Sequence, residues 1–414
     1  MLIASKSGFM TGKRLPYDAE IEYLRFTSRS FKDVREYIDT GVVPNETFEF
    51  EIDILWNNGY NTVYGQEPIS SRRVNSADAD VRFMLSSYYT HGYSYCGVGP
   101  RWDYSTNQPS GVRLHYEFHN KTLATSFAGN HVFSMPENMV SMRPVYLGAA
   151  NSATEGICNP FGGNIYTCKL WLNGVLVRDF IPVRKGTVGY MYDRVSGKLF
   201  GNAGTGDFVL GPDVVPVEYI ESHGTEWMKT DFVPDQDSHV ELSFMNLNPD
   251  TITPNIWASG AFIGSGNTQL FGVRITLGDS EIECFASPLR IHYYGQNIGI
   301  KFDAQFRNKI WTIRNVTSDV ASDFTCRAPL PLCGINSGTT SGAYSVNPAF
   351  IGRIYTFRAW QGNILIRSFR PVRVGSGSTW EGAMMDVLTR RIYRNAGTGA
   401  FTYGNDLKYP IPAE

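Results

Sequence analysis

The chain has 414 residues, a formal charge of −2, only 18% charged residues and no run of five like charges. That balance leaves no electrostatic footprint for nucleic acid or an anionic membrane surface, and no stretch approaches the roughly 20 apolar residues of a membrane span. Aromatic residues at 14% and 41 glycines suit many strands and tight turns rather than helical bundles.

Residues 1–16 contain no apolar run long enough for a signal-peptide core and have no counterpart later in the chain. They are expected to form an arm that docks through Leu2, Ile3, Phe9 and Met10. "SFKDVREYI" (Ser30–Ile38) is a candidate for a short helix, as is "PISSRRV" (Pro68–Val74). Between them, "TFEFEIDILW" (Thr47–Trp56) alternates Phe48, Phe50, Ile52 and Ile54 against Thr47, Glu49, Glu51 and Asp53, the pattern of a half-buried strand. Ser86–Gln108 carries Tyr88, Tyr89, His91, Tyr93, Tyr95, Trp102 and Tyr104, and "RIHYYGQN" further on carries His292, Tyr293 and Tyr294.

From Ile165 the sequence "IYTCKLWLNGVLVRDFIPVR" meets "IYTFRAWQGNILIRSFRPVR" from Ile354 without a gap, at an offset of 189. "NAGTG" then occurs at Asn202–Gly206 and Asn395–Gly399. "FHNK" (Phe118–Lys121) meets "FRNK" (Phe306–Lys309), and "YIDTGVVP" (Tyr37–Pro44) meets "WMKTDFVP" (Trp227–Pro234). Small offset changes at loops are what two copies of one fold accumulate. The chain is a tandem duplication, expected as an arm (1–16), a first β-sandwich (17–211), a linker (212–216), a second β-sandwich (217–405) and a tail (406–414). "NAGTG" lies between short strand patterns, so it is expected as a hairpin loop. No helix start follows it, as a phosphate-cradling loop would need.

The six cysteines occupy no shared repeat position, which excludes a framework disulfide common to both halves; a local Cys158–Cys168 bridge stays open against buried thiols. No nucleophile elbow is present. The seven histidines show no paired metal spacing, since His115 and His119 on one strand would stand about 13 Å apart. The expectation is no metal and no cofactor, with calcium left open at the oxygen-rich "PDQDSH" loop (Pro234–His239). The aromatic stretches mark Tyr88, Tyr93, Tyr95, Trp102, Tyr104, His292, Tyr293 and Tyr294 as candidates for stacking on sugar rings, against the alternative that they fill the core.

The opening "EYIESHGTEWMKTDFVP" (Glu218–Pro234) and the closing Ile165–Phe208 segment resemble the two ends of laminin-G/concanavalin-like jelly-roll modules, of the kind found in virion proteins of gut tailed bacteriophages. Tyr23 and Tyr37-Ile38-Asp39-Thr40-Gly41 match that pattern, whereas Lys229 and Asp231 depart from it in the second copy. The resemblance implies an all-β chain of two antiparallel sandwiches. It also implies a non-enzymatic virion structural or decoration protein, capsid- or fibre-associated, displaying lectin-like modules towards a surface glycan. Other virion subunits would be its partners, through residues 1–16, in a homo-oligomer or symmetric assembly formed in the host cytoplasm. A bacterial cell-surface adhesin or carbohydrate-binding protein, extracellular or at the cell surface, is the alternative. A glycan-cleaving enzyme is weaker: laminarinase-like relatives carry Glu-x-Asp-x-x-Glu, and here Glu51 and Asp53 are followed by Trp56 where the second Glu should stand.

Overall fold

The computed structural model describes residues 15–28, 30–56, 65–73, 81–88, 93–99, 104–107, 109, 111–134, 139–247, 256–263, 269–276, 281–286, 289–294, 298–326, 328–336, 346–348 and 350–407. All but the last two residues of the expected arm lie outside them. The chain divides into two compact modules, Met1–Pro212 and Asp213–Glu414, and no helix occurs among the described residues.

Each module is an antiparallel β-sandwich. In the first, one sheet runs His131–Val132, Thr122–Thr125, Leu114–His119, Glu49–Trp56, Gly163–Leu172, Val175–Lys185, Val188–Asp193, Lys198–Phe200. The second sheet runs Gly156–Cys158, Ala150–Ser152, Gln66–Arg73, Val81–Tyr88, Tyr93–Gly99, Tyr104–Asn107, with one parallel contact where Ser152 meets Arg72. The second module repeats the first sheet as Val316–Thr317, Ile310–Ile313, Lys301–Arg307, Ser238–Asn246, Ile351–Gln361, Ile364–Ser376, Thr379–Asp386, Ile392–Tyr393.

Period-two patterning explains the sandwich. Along Glu49–Trp56 the side chains of Phe50, Ile52, Ile54 and Trp56 are buried, and along Leu114–His119 so are Leu114, Tyr116 and Phe118. Each such side chain contributes roughly 1.5–3 kcal/mol on burial. The core closes between sheets, with Phe83 edge-on to Phe48 at 5.6 Å in the first module and Phe271 edge-on to Phe306 at 4.9 Å in the second.

The structure decides several of these expectations. Neither helix candidate is helical. Gln66–Arg73 is a strand in the middle of its sheet, and the Glu67–Arg72 ion pair at 3.0 Å is buried there. In Ser30–Ile38, Glu36 is drawn inward to accept from Thr27 N, Thr27 Oγ1, Ser28 N and Ser28 Oγ, which breaks any helical run. The expected linker pairs Asp213–Pro216 onto Ile364–Ser376 and so belongs to the second module's sheet; at the expected tail, Asp406 is held there by Arg373 at 2.6 and 2.8 Å. Cys158 and Cys168 are both buried free thiols, not a bridge.

"NAGTG" is not a hairpin loop. Lys198–Phe200 pairs back onto Val188–Asp193, whereas Val209–Leu210 pairs with Leu24–Phe26. The turn clasps a distant segment: Asn202 Oδ1 accepts from Tyr37 N and Gly204 N, both at 2.9 Å, and Asn202 Nδ2 donates to Arg35 O. Asn395 repeats this with Trp227 N at 3.1 Å and Gly397 N at 2.8 Å. Glycine ends the motif because a Cβ at Gly206 would stand 3.0 Å from Glu36 Oε1, and one at Gly399 would overlap Glu226 Oε1.

Candidate functional site

The outward face of the Leu114–His119, Glu49–Trp56 and Gly163–Leu172 strands gathers the module's polar chemistry. Antiparallel register sets Glu117 and Lys169 on either side of Glu51, and His115 and Thr167 on either side of Asp53. Trp171 stands opposite Glu49, beside His119. In the second module the same register sets Gln305 and Arg358 beside Glu241, Asp303 and Thr356 beside Ser243, and Trp360 opposite His239.

A β-bulge recurs in both copies. The register between strands slips between Ile165 and Thr167, and again where Ser243 faces Thr356 and Phe244 faces Ile354. The extra residues are Tyr166 and Tyr355. Arg113 lies over the Tyr166 ring and Lys301 over the Tyr355 ring, each 4.4 Å from the centroid, a cation–π contact of the usual kind.

In the first module Lys169 Nζ donates to Glu51 Oε2 at 2.7 Å, while Glu51 Oε1 stands 3.2 Å from His119 Nε2. His119 Nδ1 contacts Glu49 Oε2 at 3.0 Å, and the ring lies edge-on to Trp171 at 4.7 Å. Burial opposes protonation of His119, but its bonds to Glu49 and Glu51 prevail and raise its pKa. Asp53 is buried, contrary to the wet-face expectation. Its Oδ2 accepts from Arg113 Nη2 at 3.0 Å and Thr167 Oγ1 at 3.1 Å, and its Oδ1 is 3.4 Å from His115 Nδ1. Burial disfavours its charge, yet Arg113 and His115 overcome that and hold the carboxyl well below the ordinary carboxylate range.

In the second module His239 stacks on Trp360 at 4.0 Å with an interplanar angle of 11°. Gln305 Nε2 donates to Glu241 Oε1 at 3.1 Å. Burial lowers the His239 pKa. This face holds a groove of about 550 Å³ lined by Glu241, Ser243, Lys301, Asp303, Gln305 and Thr356, among others. Such a lining can bond hydroxyls from several directions.

Apart from Trp102, the sugar candidates named from sequence lie on the other sheet of each module. Tyr88, Tyr93, Tyr95 and Tyr104 fall on strands where Tyr88 pairs with Tyr93 and Cys96 with Tyr104, but their side chains lie outside the described residues, as does Trp102 altogether. On Leu289–Tyr294 the alternation splits the trio. His292 and Tyr294 are exposed and parallel at 6.0 Å, whereas Tyr293 turns to the core and accepts from Arg314 Nη1 at 2.9 Å.

Two further expectations meet the geometry here. In the Pro234–His239 loop, Asp235 spends its oxygens on Asp237 N, Ser238 Oγ and Gln361 Nε2 at 2.9, 3.0 and 2.7 Å, so they are engaged in closing the turn. Trp56 points into the core, on the opposite side from Glu51, with its Nε1 donating to Tyr116 Oη at 3.2 Å. Sequence reasoning missed Glu117, His119 and Lys169 as partners of Glu51, and Trp171 as the ring beside His119. The signal available was the Glu117-x-His119 alternation, which only strand pairing connects to Glu51.

No protein-family model matches the chain, and no curated protein matches it. Among solved structures, domains LG4-5 of the mouse laminin alpha1 chain are similar over 97% of each chain, at 11% identity and a TM-score of 0.28. The sandwich assignment rests on the strand pairing described above, and that likeness is one of fold alone.

Proposed function

We propose that the chain is a non-enzymatic attachment protein whose two sandwich modules present polar, tryptophan-edged sheet faces to a hydroxyl-rich surface such as a cell-surface glycan. The observation that carries this reading is the second module's groove, about 550 Å³ and lined by hydrogen-bonding side chains. A glycan microarray with the full chain should give binding that Gln305→Ala and Asp303→Ala weaken about tenfold or more. Binding unchanged in both variants would remove the groove from the reading. The sequence resemblance supports a setting in a bacteriophage virion, with the protein as a capsid or fibre component assembled in the host cytoplasm and joined to neighbouring subunits through residues 1–16. Immunogold labelling of particles tests that setting. Labelling confined to the bacterial envelope would favour the adhesin instead.

One arrangement favours a second reading. Glu51 and Glu117 face each other directly across antiparallel strands, and paired carboxylates are the machinery of glycoside hydrolysis. Against it, Glu51 is already committed to Lys169 and His119. Release of oligosaccharide from a polysaccharide panel, abolished by Glu51→Gln, would establish hydrolysis.

A further inference from the structure

We propose that the first module carries a divalent transition-metal site, formed by His119 Nε2, Glu51 Oε1 and Glu117 Oε1, with Zn²⁺ as its best fit. The inference does not depend on the attachment reading.

His119 Nε2 lies 3.2 Å from Glu51 Oε1 and 3.9 Å from Glu117 Oε1, and one donor atom from each of the three residues lies within 4.8 Å of the others. A tetrahedral ion with bonds of about 2.1 Å sets its donors roughly 3.4 Å apart. The observed separations straddle that value, so an ion could be seated by small side-chain rotations.

The supporting contacts are also in place. His119 Nδ1 is held by Glu49 Oε2 at 3.0 Å, and Glu49 Oε1 accepts from Asn120 N at 2.7 Å. A carboxylate on the far ring nitrogen is the usual outer partner of a metal-bound histidine, because it fixes the ring and raises its basicity. Glu51 Oε2 is anchored by Lys169, which leaves Oε1 turned to His119. Glu117 is 45% exposed, so the remaining coordination positions open to solvent. One imidazole with two carboxylates suits a borderline ion better than calcium, which takes six to eight oxygens.

The duplication provides an internal control. Gln305 stands where the first module has Glu117, and Arg307 where it has His119. An amide and a guanidinium cannot replace a carboxylate and an imidazole as ligands.

The test is calorimetric titration of the chelator-stripped full chain with Zn²⁺, repeated with Co²⁺ to read visible absorption. One equivalent should bind, and His119→Ala and Glu117→Gln should each lose it together with the Co²⁺ bands. Glu49→Gln should weaken it about 10–100-fold, and His239→Ala in the second module should leave it unchanged. Half-exposed Glu117 makes Glu117→Gln the variant that decides should His119→Ala fail to fold. Absence of uptake by the wild type, or one-equivalent binding that survives Glu117→Gln, would overturn the site.

Discussion

Replacing Asp53 by Asn keeps the shape of the side chain and removes its charge, leaving the Arg113 guanidinium without its carboxylate. Both partners are nearly enclosed, with side chains 10% and 11% exposed, and their contact is 3.0 Å. Removing one partner of a buried pair costs about 3–5 kcal/mol because the other charge stays desolvated. Retained bonds to Thr167 and the ring of Tyr166 under Arg113 favour the lower end, about 3 kcal/mol. For a module of this size that corresponds to a fall in melting temperature of roughly 6–12 °C. The matched control is Ser243→Ala, at the equivalent place in the second module, where the Ser243 hydroxyl has no hydrogen-bond partner among the described residues; it should cost less than about 0.5 kcal/mol. The pH dependence has a defined sign. The Asp53 carboxyl is held below its ordinary value in the folded state, so its contribution is complete above about pH 4. It drains away as pH falls towards the folded-state pKa, and the gap between wild type and Asp53→Asn should narrow over that range. Urea denaturation at several pH values measures this. A variant no less stable than Ser243→Ala at pH 7 would refute the reasoning.

Other outcomes follow from the same contacts. Gly399→Ala should destabilise the second module by about 1–3 kcal/mol, as overpacking does, because the new methyl overlaps Glu226 Oε1; thermal unfolding reads it. The described thiols should resist an aromatic disulfide reagent in the native state and react once unfolded, since burial pushes Cys158 up to about 12 and raises Cys168 well above an ordinary thiol. Glu51→Gln should release no oligosaccharide and abolish none. Deletion of residues 1–16 should prevent incorporation into particles while leaving both sandwiches folded, and normal incorporation would transfer attachment to the modules themselves.

What sequence makes legible here is what repeats along the chain. Alternation in Thr47–Trp56 and the matched Ile165 and Ile354 segments give strands, sandwich and duplication without any knowledge of pairing. The charged face was not readable, because Glu51, His119 and Lys169 are brought together by register between strands far apart in sequence. Sequence spacing compares His115 and His119 only with each other along one strand, and it cannot show the carboxylate that register brings from the neighbouring strand. "NAGTG" misled for the same reason. Its turn chemistry is local, but the Asn202 side chain is spent on Arg35–Tyr37, which nothing in the motif announces. Asp53 was assigned to water by alternation, and Arg113 is what draws it in.

The bulge at Tyr166 and Tyr355 works as a parity switch. Before it, Gly163 and Ile165 face inward; after it, Cys168 and Leu170 do, so odd and even positions exchange sides partway along one strand. Had either copy gained or lost that residue alone, every later side chain on its strand would have changed sides, and the second copy's Phe357 and Ala359 would not be buried as they are. Both copies carry the slip, so the phase of this strand is a property of the repeat itself. The hydrophobic side of this sheet keeps one phase in both copies, whereas its polar side, where Glu117 and Gln305 or His119 and Arg307 differ, is released from that constraint and carries different chemistry in each.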